Sequence, residues 1–260
     1  MNWEWSKKRD WSKEDLLYAR KRNVSNKGSH EHEHIIGAIY SVRMKRHVQY
    51  ESLWGECLFY YLLELDRNTV RYYEQSVTVP YEKLTKDFVL MKKEHISDVL
   101  VFREGRRPHL FQIKGGDKLV EQSPSIFKAC MKYAAERGWD YTIVHPKISI
   151  PLVIRNNIEF LINYLQPRFY YNDWLPELTY RLEHFKNIDI YRLAKSFEPK
   201  IDHRHILPII YHLIATGMLK TDLTKKVDHT SFVTFGSVDE EISQLIEMEG
   251  KNIEIMQARD

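Results

Sequence analysis

The short run Phe111-Gln112-Ile113-Lys114, closed by Gly115-Gly116, constrains this chain more than any other stretch. Side chains two apart on a strand share a face, so Gln112 and Lys114 point one way while Phe111 and Ile113 point the other. One face is chemical and the other is core. The stretch from Ile96 to Phe102 also reads as a strand, with Asp98 set among apolar residues, and the intervening loop from Arg103 to His109 carries Gly105 and Pro108 as turn signals. A hairpin here brings Asp98 beside Gln112 and Lys114.

Upstream, the apolar spacing from Glu51 to Leu65 predicts a helix closed by Asp66-Arg67-Asn68. Glu56 follows Leu53 and Trp54 and precedes Leu58 and Leu62, which puts it at the margin of the apolar stripe and makes it the candidate second carboxylate. A carboxylate and an ammonium at the end of a sheet suit phosphodiester hydrolysis. The acid holds a hard cation through oxygen, and the lysine orients an attacking water or helps to deprotonate it. The backbone carbonyl of Ile113 is a further oxygen ligand.

Asp98 followed by Gln112-Ile113-Lys114 and preceded by a helical Glu56 resembles the PD-(D/E)xK restriction-endonuclease-like fold. More narrowly, SLWGECLFYYLLELDRNTVRYYEQ, Ser52 to Gln75, is similar to the corresponding run of TnsA, the endonuclease subunit of heteromeric cut-and-paste transposases. That family has a helical Glu followed eight residues later by another, as Glu56 and Glu64 are here, then a strand that begins with a Glu-Gln pair, as at Glu74-Gln75. It also tolerates Gln in place of the acid before xK, matching Gln112. The likeness covers roughly the middle half of the chain. Two departures stand out: Ser97 rather than Pro precedes Asp98, and the neutral Gln112 leaves one negative charge fewer, which weakens cation binding unless Glu56 compensates.

The resemblance implies an α/β fold, a restriction-endonuclease-like mixed sheet flanked by helices. It implies a Mg²⁺-dependent DNA endonuclease, with Mn²⁺ substituting, that cuts the 5′ strands at transposon ends. Glu56, Asp98 and the Ile113 carbonyl would hold the ion, Lys114 would activate water and Gln112 would orient a ligand or water. The partners it implies are double-stranded DNA at transposon ends, a DDE-type recombinase (TnsB-like) and an AAA+ regulator (TnsC-like). Two alternatives stay open: a free-standing restriction or defence nuclease of the same fold, and a non-catalytic DNA-binding or scaffold subunit.

Elsewhere the sequence bounds the answer more loosely. Its 260 residues, 43% hydrophobic and 29% charged, suit one large and one smaller globular domain. No apolar run spans a bilayer and MNWEWSKKRD has no signal-peptide core, so no membrane partner and a cytoplasmic location are expected. Cys57 and Cys130 fall in helical stretches and read as reduced, buried residues. Residues 1 to 50 carry eleven Lys or Arg against six acids, and residues 237 to 260 carry two against seven, which suggests different partners for the two ends.

In chain order, Ser12 with Asp15 resembles a helix N-cap with an acid at N3. His30, His32 and His34 alternate, but they follow a Ser-Asn-Lys-Gly loop with no further ligand in view, and read as exposed loop histidines. Ile35 to Gln49 reads as one strand continuing into a basic run in which Arg43, Lys45 and Arg46 are candidate phosphate contacts, as is Lys118. Val70 to Pro80 and Phe88 to Met91 read as further strands. Ser123-Pro124 opens a helix that Gly138 stops, and Tyr141 to Val144 follows as a strand, an order that implies a parallel crossover. Ser149 as cap and Pro151 at the first helical position predict a helix to about Leu165.

These features divide the chain into an endonuclease domain at 1–165, a winged-helix domain at 166–236 and an acidic helix or tail at 237–260. In the second, a helix from about His203 carries Ile206, Ile209, Ile210, Leu213 and Ile214 on one stripe and presents Arg204, His205 and His212.

Overall fold

Between residues 37 and 113 the described chain is mostly β-strand, interrupted by turns and one helix. It forms β1 (Gly37–Ser41), β2 (Arg46–Tyr50), β3 (Thr69–Leu84), β4 (Leu90–Arg103) and β5 (His109–Ile113). The computed structural model describes residues 3–22, 35–84, 88–116 and 122–247. Among the described residues, no helix is long and apolar enough to cross a membrane.

Two compact units emerge: Met1–Tyr60 with Asn68–Ser149 and Glu247–Asp260, and Tyr61–Arg67 with Ile150–Ile246. The first is built on a mixed four-stranded sheet, β3-β4-β5-β6, in which β6 is Asp140–Val144. β3, β4 and β5 are antiparallel neighbours, while β5 and β6 run parallel across a crossover helix. Val, Leu, Tyr and Phe side chains fill the sheet: Tyr72, Val99, Leu100, Leu110 and Phe111 are all buried. Each is worth roughly 1.5–3 kcal/mol when removed from water.

Helix α1 (Ser12–Leu17) belongs to an amino-terminal segment packed on this sheet, where Trp5 and Trp11 meet Phe102 edge-on at 4.9 and 5.3 Å. Its cap differs from expectation. Trp11 takes the N-cap position, and Ser12 donates from both N and Oγ to Asp10. Asp15 instead pairs with Arg71.

Helix α2 (Leu58–Leu65) follows a wider, π-wound turn and sets Phe59 against Phe111, ring centres 5.0 Å apart. Helix α3 (Pro124–Ala135) has Pro124 in its first turn and packs Phe127 near Tyr141 of β6. The short α4 (Pro146–Ser149) ends the unit.

Two strand readings need correcting. Ile35 to Gln49 is a hairpin: β1 pairs with β2, Ser41 opposite Arg46, around a turn at 42–45. That turn has no Gly, Pro or Asn, and Lys45 itself takes the left-handed backbone, φ 54°, which is why it escaped sequence reading. Of the separate strand expected at Phe88 to Met91, Phe88 and Val89 lie outside any strand and Leu90 and Met91 begin β4, which runs on unbroken through Asp98.

The second unit holds α5 (Leu152–Leu161), α6 (Tyr171–Phe185), β7 (Ile188–Asp189), α7 (Ile190–Lys195), α8 (His203–Ala215), β8 (Leu219–Lys220) and β9 (Phe232–Phe235), with strand order β7-β9-β8. Pro151 is the N-cap of α5 rather than its first helical residue, and Ser149 ends α4. α5 lies upstream of residue 165 yet groups with this unit, and Asn157 gives the reason. Its buried amide donates to the carbonyls of Leu223 (2.8 Å) and Lys225 (2.7 Å) and accepts from the Val227 N–H (2.9 Å). Residues 239–247 are helical, and the rest of the expected acidic tail lies outside the described residues.

Asn157→Leu strands three buried backbone groups and should destabilise the protein by roughly 2–4 kcal/mol in urea unfolding. Asn157→Asp should do no better, because a carboxylate then faces two carbonyls. A wild-type midpoint for either variant would remove Asn157 from this role.

Candidate active site

The antiparallel ladder between β4 and β5 stops at the pair Val99 and Phe111. One residue further, Asp98 stands opposite Gln112. Its Oδ2 accepts from the Ile113 backbone N–H at 2.6 Å and from Gln112 Nε2. A side-chain carboxylate thus replaces the main-chain carbonyl that Ile113 would meet in an unbroken ladder. Both bonds fall on Oδ2, and Oδ1 receives none from the described residues. Asp98 is partly exposed, whereas Gln112 and Glu56 are each 5% exposed.

Glu56 reaches the same place from a turn wound as a π-helix, Leu53–Cys57, which leads into α2. Ser52 caps it, its Oγ accepting from Gly55 N at 3.0 Å. Glu56 Oε2 accepts from the Glu51 backbone N–H, and the Glu51 carboxylate pairs with Arg22. Two glycines let this turn press against the end of β5: a Cβ on Gly55 would lie 2.9 Å from Gly115 Cα, and one on Gly115 would lie 2.1 Å from Ser52 Oγ. Only glycine permits this approach, which ties the backbone before Glu56 to the backbone after Lys114.

On the other side, β3 carries a bulge. Its register against β4 slips between Glu74 and Val77, so Gln75 and Ser76 lie across from Asp98. Gln75 holds a left-handed backbone, φ 45°, at a cost of about 1–2 kcal/mol. It is secured by Lys21 N bonding its carbonyl (3.0 Å) and by Arg20 Nη2 bonding its Oε1 (3.1 Å). Bulges often re-aim side chains beside active sites.

The electrostatics follow from this enclosure. Burial pushes the Glu56 carboxyl above the ordinary carboxylate range, and the charge of Asp98 pushes it further. The Glu51 N–H and the Gln75 amide act against the rise. Burial likewise raises Asp98, opposed first by the Ile113 N–H and then by Lys114 and Arg22. Two carboxylates held together at such expense make a natural cation site, so the donors can be tested against a hard ion. Glu56, Asp98 and the Ile113 carbonyl are all oxygen donors. The Ile113 carbonyl leaves its strand on the same side as the N–H that meets Asp98. These donors fit Mg²⁺ or Mn²⁺ with water completing the shell. Among the described residues no cluster of three or more His, Cys, Asp or Glu is placed to hold a metal.

Lys114 is partly exposed at the end of β5, with its backbone N donating to Val144 O at 2.8 Å. Arg46 forks onto buried Glu74, Nη1 to Oε1 and Nη2 to Oε2 both 2.6 Å, so its guanidinium is engaged in a structural pair. Arg43 and Lys45 lie in the β1–β2 turn. Lys118, like His30, His32 and His34, lies outside the described residues. Sequence reasoning missed Gln75, His95, Gln122 and the glycine pair. His95 stands three residues before Asp98, where strict alternation assigns it to the opposite face, yet its Nε2 is 2.7 Å from Gln112 Oε1. Gly115-Gly116 was the available signal for a close approach.

No protein-family model and no curated protein matches the chain.

The raised carboxyls set the sign of a pH effect. In the native protein Glu56 and Asp98 keep protons that the unfolded chain has released, so the stability they contribute is present at low pH. It is lost as pH rises from the ordinary carboxylate range towards neutrality. The metal-free protein should therefore show a Tm that falls with pH across this window more steeply than that of Asp98→Asn, and Mg²⁺ should restore Tm at the upper end. Equal slopes for the two proteins would argue against a raised Asp98.

Proposed function

We propose that this chain is a metal-dependent DNA endonuclease of TnsA type, cutting the 5′ strands at transposon ends while a DDE-type, TnsB-like recombinase acts on the 3′ strands. The observation that carries the reading is the pair of carboxylates Asp98 and Glu56, one oxygen of Asp98 held by the Ile113 N–H at the end of β5 and one of Glu56 by the Glu51 N–H, with Lys114 next in the chain after β5. Structural ion pairs bring carboxylates and lysines together too, but they do not leave two acids with raised pKa values side by side.

Glu56, Asp98 and the Ile113 carbonyl would hold Mg²⁺, and Gln112 keeps Asp98 in place. Bound there, the ion would supply charge stabilisation for the phosphate and acidify a bound water. Lys114 orients the attacking water and takes part in its deprotonation. Arg43 and Lys45 on the β1–β2 turn, with Lys118, are the proposed phosphate contacts. Arg46 is assigned to the Glu74 pair instead.

We also read the first unit as a restriction-endonuclease-like core and the second as a winged helix. The order α6, β7, α7, α8, β8, β9 with strand order β7-β9-β8 supports the latter. Protein docking is the role favoured for it over base readout. α8 is buried on most of its surface, Arg204 is paired with its own N-cap Asp202, and His212 Nδ1 lies 2.7 Å from the Tyr164 carbonyl. Little is left to enter a major groove. An AAA+, TnsC-like regulator is the proposed partner.

The test is scission of a duplex bearing the element's end in Mg²⁺ or Mn²⁺, with and without the neighbouring recombinase. Wild type should cut the 5′ strand only in the mixture. Asp98→Ala should abolish cutting, and Lys114→Ala should slow it about 10²–10⁴-fold. Cutting by the protein alone would favour a free-standing nuclease. Cutting that survives Asp98→Ala would overturn the site.

A further inference from the structure

Gln112 has an amide whose two ends are nearly the same shape but opposite in hydrogen-bonding character. One end meets Asp98 Oδ2 and the other lies 2.7 Å from His95 Nε2. Asp98 Oδ2 already accepts from the Ile113 N–H, which marks it as the acceptor oxygen of the carboxyl whether or not Oδ1 carries a proton, so the end of Gln112 on it is the NH₂ group. The end towards His95 must then be the oxygen, and an amide oxygen also only accepts. His95 Nε2 must therefore carry a hydrogen.

The surroundings agree. Burial, together with the charges of Lys114 and Arg22, lowers the His95 pKa and keeps the ring neutral, with one proton to place. Gln122, itself buried, stands with Nε2 3.2 Å from the same ring nitrogen and with Oε1 accepting from the Tyr141 hydroxyl, an orientation that sets two donors against each other once His95 Nε2 carries a hydrogen. With Nε2 already a donor, Gln122 is best read with its oxygen towards His95 and its NH₂ towards Tyr141, because amide ends are assigned from the network.

We propose that His95 is a positioning residue of this site: its Nε2–H, held on Gln112 Oε1, fixes the polarity of the Gln112 amide so that it donates to Asp98 Oδ2 and leaves Asp98 Oδ1 for a divalent cation. Without that donor the amide is free to turn. The turned form sets oxygen against oxygen at Asp98, and the carboxylate swings away from its position. The consequence for a cation rests on the endonuclease reading. The tautomer and the amide polarity do not.

Two measurements decide it. In metal-free protein, ¹⁵N NMR of the His95 ring should show the proton on Nε2; a proton on Nδ1 alone would overturn the proposal whatever the protein does to DNA. Mn²⁺ binding by titration calorimetry then compares wild type, His95→Ala, His95→Gln, Gln112→Ala and the double variant His95→Ala/Gln112→Ala.

His95→Ala should weaken Mn²⁺ binding roughly 10–100-fold. His95→Gln, which offers an N–H at a similar reach, should recover part of the loss. In the Gln112→Ala background, removing His95 should add nothing, because its effect passes through Gln112. An undiminished effect of His95→Ala in that background would overturn the proposal, as would wild-type protein that binds no Mn²⁺. Mn²⁺ binding that follows this pattern in a protein that never cuts DNA would sink the endonuclease reading and leave the positioning role standing.

Discussion

Everything at this site depends on the substitution of one hydrogen bond for another: the Ile113 N–H, which an unbroken sheet would give to a main-chain carbonyl, goes to Asp98 Oδ2 at 2.6 Å. That bond ends the β4–β5 ladder while keeping the two strands in register, since Val99 still faces Phe111 one step earlier. It also fixes which oxygen of Asp98 is committed. On the opposite flank the bulge at Gln75 breaks the β3–β4 ladder at the same level. β4 is therefore regularly paired with β3 before and after Asp98 and with β5 only after it, and at Asp98 itself it has a regular neighbour on neither side.

Holding Glu56 at that opening requires a helix to arrive nearly in backbone contact with the end of β5. The glycines at 55 and 115 allow this, and Ser52 seals the contact by capping the π turn. The arrangement costs stability twice, first in backbone freedom at the glycines and then in two carboxyls whose pKa values burial raises, with the charge of Asp98 raising Glu56 further. Neither expense helps the fold. Proteins concentrate such local conflicts where chemistry needs them, and the rest of the unit compensates through its apolar sheet, the Trp5–Trp11–Phe102 cluster and the forked pair of Arg46 with buried Glu74.

Much of the central geometry was legible in the sequence because it obeys short-range rules. Alternation in Phe111 to Lys114 and turn signals at Gly105 and Pro108 give the hairpin, and the hairpin gives Asp98 opposite Gln112. The parallel β5–β6 crossover followed from helix length and order. What stayed hidden depends on contacts between distant residues or on departures from regular geometry. The bulge hides in a β-favouring run, since nothing in Glu74-Gln75-Ser76 announces a left-handed glutamine. The turn after β1 uses Lys45 where turn chemistry favours glycine or asparagine. His95 reaches Gln112 although period-two counting from Asp98 sends it to the other face. The apolar stripe of α8 was visible, but not that Tyr211 and Ala215 are buried beyond it, leaving so little of the helix exposed.

The neutral residue at 112 is the feature most at odds with the proposed cation site, and the geometry gives it a reason. A glutamate there would set a third carboxylate directly across from Asp98, in a place where burial already lifts two carboxyls. It would have only oxygens to present to Oδ2, and like charges across a strand pair repel. Gln112 exchanges attraction for position: it surrenders one negative charge and gains an N–H that pins Asp98. Gln75 lies across from Asp98 on the other flank, its oxygen held by Arg20. With two acids rather than three, the pull on a divalent ion is weaker and the energy of keeping the empty site folded is smaller. On the proposed reading, binding leans on how well the remaining oxygens are aimed, which gives the groups behind the glutamines, Arg20 and His95, their place beside the charges in front.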